Sequence, residues 1–143
     1  MAVFALDSSC MVAAVCTWHE RHVATVDEVE RHLDRGDRLA VAAHALAETY
    51  AVLTRLPAPH RLAPADAWTL VETNFVEPAI VVTLDAEAHT GVLAGLAKAG
   101  VGGGRTYDAL IAAAAAHARA TTLLTLNARH FDPPPVGCEV KEP

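Results

Sequence analysis

Three acidic residues could do chemistry together, because each one adjoins an apolar segment and can therefore face the interior. Asp7 ends the apolar run at residues 3–6, Glu48 falls in helical register with Val52 and Leu56, and Asp108 opens an alanine-rich helix. Two like charges about 4 Å apart repel by roughly 1 kcal/mol in water and by about 4 kcal/mol at an effective dielectric of 20. A cluster of these carboxylates therefore calls for a cation or raised pKa values. Oxygen ligands alone favour Mg²⁺ or Mn²⁺.

Each carboxylate also has a structural interpretation. Asp7 fits the N-cap of a helix at residues 10–15, Glu48 fits a solvated helix surface, and Asp108 fits the first turn of its helix, where it complements the helix dipole. We interpret Asp85 only as the N-cap of a helix at residues 86–99.

Strands alternate with helices along the chain, which predicts an α/β fold with a mostly parallel sheet and helices on both faces. Predicted strands cover residues 3–6, 39–42, 79–82 and 121–126, and a final edge strand can form at residues 138–141. Predicted helices cover residues 10–15, 18–34, 44–56, 65–75 and 86–99, a further helix has Thr106 as its N-cap and includes residues 109–116, and a short helical turn covers residues 127–131.

Ligand sites in such sheets lie beyond the carboxyl ends of the strands. Asp7 follows the first strand, Glu48 lies in the helix after the second, Asp108 opens the helix before the fourth, and Asn127 follows the fourth. All four can converge at one edge of the sheet.

Apolar spacing also predicts which helix faces are buried. In the helix at residues 18–34, the predicted packing residues are Val23, Val26, Val29 and Leu33. In the helix at residues 65–75, they are Trp68, Leu70, Val71 and Phe75.

Bulk properties narrow the class of protein. The 143 residues fit a single domain at residues 1–143, and the net charge of −6 argues against non-specific coating of nucleic acid. No apolar run is long enough to cross a membrane and no export signal is recognisable, so we expect a cytoplasmic protein. The three cysteines match no metal or redox motif, and the glycine-rich residues 100–104 match neither a Walker A loop nor a dinucleotide fingerprint.

Three segments match a known family in order: VFALDSS at residues 3–9, AETYAVLTRLP at residues 47–57 and GGGRTYDALIAAAAAHARATTLLTLNARHF at residues 102–131. On these segments the chain resembles the PIN-domain ribonucleases, specifically the VapC-type toxins of bacterial toxin–antitoxin pairs. The resemblance implies a three-layer PIN-like fold in which Asp7, Glu48 and Asp108 are acidic metal ligands. The fourth catalytic position of the family, often Asp, is Asn127 here; Asn127 adds no charge, and Asp132 is a candidate substitute.

The same resemblance implies an endoribonuclease that uses Mg²⁺ or Mn²⁺ to hydrolyse RNA, forms a homodimer and is inhibited by a small antitoxin protein. Ser8, Ser9 and Thr125 are candidates for orienting ligands or water. Arg105 and Arg129 are candidates for holding the RNA backbone.

Other functions remain open at this point. Histidines such as His44, His117 or His130 could act as acid and base with the RNA 2′-hydroxyl as nucleophile. That chemistry would survive EDTA and leave cyclic phosphate ends. A phosphoacceptor receiver would have paired acids after its first strand, whereas serines follow Asp7. A non-catalytic PIN-like module that binds RNA or protein is the further alternative, because Asn127 carries no charge.

Overall fold

The predicted alternation of strands and helices is present in the computed structural model, which describes residues 1–143. The five strands are β1 (Val3–Leu6), β2 (Arg38–Ala42), β3 (Ile80–Val82), β4 (Thr122–Leu124) and β5 (Glu139–Lys141). The α-helices are α1 (Ser8–Val15), α2 (His22–Asp34), α3 (Ala43–Arg55), α4 (Pro64–Val71), α5 (Ala86–Ala99) and α6 (Arg105–His117). A π-helical turn at Glu72–Val76 extends α4, and a 3₁₀ turn at Ala128–Phe131 follows β4.

All five strands form one parallel sheet in the order β3-β2-β1-β4-β5. The chain first builds outward from β1 through β2 to β3, and then adds β4 and β5 on the other side of β1. Ligands in sheets of this type bind at the carboxyl ends of the strands, where the order reverses. That point lies between β1 and β4, so it brings Asp7, which follows β1, next to Thr125, which follows β4.

Consecutive residues of the central strands are buried, which requires a covering layer on both faces of the sheet. Phe4, Ala5 and Leu6 of β1 and residues 39–42 of β2 are all buried. A second, smaller core joins Cys16, Leu53, Ala67 and Val71 between α3 and α4. The predicted three-layer α/β architecture is therefore confirmed.

Local signals placed some helix ends correctly and others wrongly. Asp85 caps α5 by accepting a hydrogen bond of 2.8 Å from the backbone N–H of Ala88, and Gly100 ends that helix with φ of 71°. Thr106 is not an N-cap, since the helix already begins at Arg105. Its backbone N–H donates to the Gly103 carbonyl, so it belongs to the first helical turn.

The predicted buried face of α2 is only partly correct: Val29 packs against the core, but Val23 and Leu33 do not. Val23 and Leu33 are 69% and 48% exposed, whereas Thr25, Glu28 and His32 are buried. The same error affects Trp68 of α4, which is 46% exposed.

The polar inner face of α2 is buried because its charged groups have partners. Lys141 Nζ of β5 donates to Glu28 Oε1 at 2.9 Å, and His32 Nδ1 lies 2.8 Å from Asp37 Oδ2. The His32 ring also stacks on Phe4 of β1, with 4.5 Å between the ring centroids. Burying a charged group costs much less free energy when the group is paired and hydrogen-bonded than when it is isolated.

None of the helices combines the length and the apolar character that a bilayer span needs. Cys10, Cys16 and Cys138 are all buried and form no disulfide.

We expect Leu123→Ala to lower the free energy of unfolding by about 2–5 kcal/mol, because Leu123 of β4 is fully buried. Chemical denaturation followed by circular dichroism measures this loss. Leu33→Ala on α2 is the matched control; this residue is 48% exposed, and its effect should stay within about 0.5 kcal/mol. Equal losses for the two variants would contradict the central position of β4.

Candidate active site

Asp7 is both a helix cap and a buried charge. Its Oδ1 accepts hydrogen bonds from the backbone N–H of Cys10 at 3.0 Å and from Ser9 Oγ at 2.6 Å. Its Oδ2 accepts a hydrogen bond of 2.5 Å from Thr125 Oγ1, and the residue is only 3% exposed. The structural interpretation of Asp7 is thus correct, yet an ordinary N-cap on a surface helix is not buried in this way.

The same hydroxyl groups tie Asp7 to the loop after β4. Ser9 Oγ accepts a hydrogen bond from the backbone N–H of Leu126 at 3.0 Å, and Thr125 Oγ1 accepts one from the backbone N–H of Asn127 at 2.9 Å. Ser9 and Thr125 therefore contact the carboxylate that the sequence expected them to orient. Asn127 is held next to it through its backbone.

Asp108 lies in the first turn of α6, as predicted, and its side chain is 24% exposed. His130 Nδ1, from the 3₁₀ turn, is 3.4 Å from Asp108 Oδ2. Burial raises the pKa of Asp108, the neighbouring His130 lowers it, and the negative charge of Glu48 raises it further. Glu48 and Asp108 are therefore within electrostatic reach of each other.

The pKa of Asp7 is also raised. Burial is the main cause, the hydrogen bonds from Ser9, Thr125 and the Cys10 backbone oppose it, and the charge of Asp108 adds to it. Asp7, Asp108 and Glu48 thus form a chain of mutually repelling carboxylates, with Asp108 in the middle.

Glu48 of α3 has one oxygen without a partner. Its side chain is 32% exposed, but Oε1 is buried and accepts no hydrogen bond. His44 Nε2, one helical turn earlier, is also buried and unpartnered, and it lies 4.0 Å from Glu48 Oε1. A buried carboxylate oxygen without a partner is costly to stability, so this atom has capacity for a ligand.

A cavity of about 480 Å³ opens at this edge of the sheet. Glu48 and Asn127 both line it, together with Ser8 and Ser9 next to Asp7. Asp132, the candidate substitute for Asn127, is exposed at the end of the 3₁₀ turn and does not line this cavity. The structure thus brings Asn127, and not Asp132, to the same opening as Glu48.

The donor set fits a hard divalent cation, since it consists of carboxylate and amide oxygens. The unpartnered Oε1 of Glu48 supports that fit. No group of three or more Asp, Glu, His or Cys side chains is close enough to hold one ion directly. Ligation of Mg²⁺ or Mn²⁺ by Asp7, Glu48 and Asp108 therefore stays a prediction.

Sequence reasoning missed part of the surroundings of the carboxylates. Of the three histidines considered above, the structure brings His44 and His130 to the acidic residues, whereas His117 lies at the far end of α6. Tyr107 also belongs to these surroundings, because its ring stacks on His44 with 4.9 Å between centroids. No local pattern signals that contact, because the two rings come from different helices.

Comparison with known proteins identifies the family of this fold. The sequence profile of the PIN domain matches residues 4–133. The chain belongs to the PIN domain family. It is similar to Ribonuclease VapC40 of Mycobacterium tuberculosis, with 43% identity over 113 residues that cover 76% of this chain and 75% of the relative.

Solved structures share the PIN fold at low sequence identity. VapC20 of Mycobacterium tuberculosis, described as a sarcin-ricin loop cleaving toxin, has a TM-score of 0.71 at 15% identity, covering 95% of this chain and 98% of VapC20. VapBC-5 of the same organism, a member of the VapBC family of toxin-antitoxin systems, has a TM-score of 0.57 at 19% identity, covering 99% of this chain and 98% of the other.

We expect Asp7→Asn to reduce the pH dependence of the stability of the PIN domain. Because the folded state raises the pKa of Asp7 above 3.8, it binds this proton more tightly than the unfolded chain does. Stability is therefore lost as the pH rises from about that value through the raised pKa, and the neutral Asn has no such loss. Asn also replaces one of the two oxygen acceptors with an amide donor, at a cost to stability that does not depend on pH. As the pH rises from acid to neutral, the melting temperature of the wild type should therefore fall relative to that of the variant.

Asp85→Asn is the control for this comparison, because Asp85 is also an N-cap but is exposed. Asn and Asp cap helices about equally well, so its melting temperature should stay near that of the wild type. A pH-independent difference for Asp7→Asn would contradict the role of its buried charge.

We expect Thr125→Val to raise the pKa of Asp7 further, because it removes the hydrogen bond to Oδ2 and preserves the side-chain shape. Carboxyl ¹³C NMR titration measures the change. Thr122→Val, at the amino end of β4, is the control, since no hydrogen bond joins the Thr122 hydroxyl to Asp7. An unchanged midpoint in Thr125→Val would show that this bond does not stabilise the charged form.

Proposed function

We propose that this PIN domain is a metal-dependent endoribonuclease, the toxin of a toxin–antitoxin pair. Asp7, Glu48 and Asp108 would hold Mg²⁺ or Mn²⁺, and Asn127 would supply a neutral oxygen. The observation that carries the proposal is the buried Asp7 carboxylate at the point where the strand order reverses, beside a cavity that Glu48 and Asn127 line. The names of VapC40, a ribonuclease, and VapC20, a sarcin-ricin loop cleaving toxin, support RNA as the substrate.

The residues of the chain have separate tasks in this proposal. Ser9 and Thr125 donate hydrogen bonds to Asp7, which favours its ionised form and fixes its orientation. Glu48 offers its unpartnered Oε1. When bound, the divalent ion supplies an acidified water and neutralises charge on the phosphoryl oxygens. Arg105 precedes Asp108 in the chain and Arg129 follows it. Both side chains are exposed to solvent and are available to hold the RNA backbone.

We further propose a small antitoxin protein and a second copy of this chain as partners. VapBC-5, whose fold is similar, belongs to a family of toxin-antitoxin systems. For the homodimer, α5 is the candidate surface, because none of its residues is buried although Val92, Leu93 and Leu96 are apolar.

The three reduced cysteines fit a cytoplasmic location.

A metal-independent ribonuclease is the second candidate, because His130 and His44 lie next to Asp108 and Glu48. These imidazoles could act as acid and base. The two mechanisms differ in their need for metal and in the ends they leave on RNA.

We expect purified protein to cut RNA with Mg²⁺ or Mn²⁺, to stop in EDTA and to leave 5′-phosphate ends. Asp7→Asn should reduce cleavage by more than the roughly 10–100-fold typical of residues that only support a ligand. Calorimetric titration should show Mn²⁺ binding by the wild type and much weaker binding by the variant. Asp85→Asn is the control and should cut and bind as the wild type does.

Cleavage that persists in EDTA and leaves cyclic phosphate ends would support the histidine mechanism instead. RNA binding without cleavage, equal in the wild type and Asp7→Asn, would identify a non-catalytic module.

A further inference from the structure

An exposed aromatic ring stands next to the carboxylates without a role in the chemistry above. Tyr107 directly precedes Asp108 on α6 and is 48% exposed. Its ring stacks on the imidazole of His44, with 4.9 Å between centroids and 9° between the ring planes. His44 lies on α3 one turn before Glu48, so the pair of rings joins the two helices that carry Glu48 and Asp108.

Nearly half of Tyr107 is exposed even though its ring is stacked. His44 covers one face of the ring in a nearly parallel arrangement, with 9° between the ring planes. Arg105 is exposed two residues earlier on the same helix, and its positive charge is close enough to lower the pKa of Asp108. A cation next to a free aromatic face is the combination with which proteins bind single-stranded nucleic acid, through phosphate contact and base stacking.

We propose that Tyr107, backed by His44, is a stacking platform for an unpaired RNA base next to the carboxylates. This inference rests on the proposed function and narrows its substrate class to single-stranded or looped RNA. A base within a duplex is already stacked on both sides, so only a base that has left the stack can use the ring. Arg105 would contact the phosphate that accompanies this base.

The first test measures RNA binding without cleavage. All proteins carry Asp7→Asn, and the probe is fluorescein-labelled oligo(A) RNA followed by fluorescence anisotropy. Tyr107→Ala should weaken binding by roughly 5- to 100-fold, the range expected for one base–aromatic stack. Tyr107→Phe keeps the ring and should bind normally, whereas Tyr107→Leu keeps apolar bulk and should bind as weakly as Tyr107→Ala.

The chain offers a closely matched control in Trp18. Trp18 is 47% exposed and also stacks on an imidazole, that of His60, with 4.2 Å between centroids. Both rings line a separate cavity, which neither Glu48 nor Asn127 lines. Trp18→Ala should therefore leave oligo(A) binding unchanged, and an equal loss in Trp18→Ala and Tyr107→Ala would overturn the inference. If Tyr107→Ala does not fold, the pair Tyr107→Phe and Tyr107→Leu decides the question.

The second test uses cleavage of single-stranded RNA with one abasic position moved along the strand. The protein with its native Asp7 should lose activity strongly when one particular base is removed, and Tyr107→Ala should be insensitive at that position. Cleavage that depends on Asp7 but is identical with and without the tyrosine ring would overturn the platform and leave the proposed function standing. Absence of any cleavage, with oligo(A) binding still dependent on Tyr107, would refute the nuclease and support the platform.

A protein partner is the other occupant that could use this ring. If Tyr107→Ala weakens binding of a co-expressed antitoxin and leaves oligo(A) binding unchanged, the ring serves that partner and the inference is overturned.

Discussion

The buried carboxylate of Asp7 at the junction of β1 and β4 is the constraint on which the site depends. A charge in this position is tolerated only when it is hydrogen-bonded, and its donors come from Ser9, Thr125 and the Cys10 backbone. Thr125 is in reach because β1 and β4 are adjacent and parallel, with Leu6 in register with Leu124. The strand order of the sheet therefore makes the buried charge possible, and the charge lies at the edge where the candidate site is found.

Two buried carboxylates, Glu28 and Asp7, differ in the charge of the groups that hold them. Burial acts on Glu28 too, but Lys141 and Arg31 outweigh it and lower the pKa of Glu28. Asp7 has only neutral donors, and its pKa is raised. A carboxylate that is held by cations is satisfied, whereas one that is held by hydroxyl groups and repelled by Asp108 keeps its capacity for a further positive charge.

Glu48 also keeps capacity for a ligand, although histidines surround the site. His130 and His44 lie close to Asp108 and Glu48, yet the buried Oε1 of Glu48 still accepts no hydrogen bond. An unpartnered buried oxygen is costly to stability, so this atom has capacity for a further ligand. The aromatic stack of Tyr107 on His44 extends this functional edge toward solvent.

The sequence by itself determined the features that depend on near neighbours: the strand at Val3–Leu6, the capped helix at Ala86–Ala99, the alternation that specifies a parallel sheet, and an acid after the first strand. Its resemblance to a family also supplied the residues of the candidate site. Only the tertiary structure decided that Glu28 is buried and Val23 exposed, that Thr125 bonds Asp7, and that Tyr107 stacks on His44. Helix caps and apolar periodicity act within a few residues, whereas these contacts join groups that are distant in the chain and meet only once the sheet has fixed their positions.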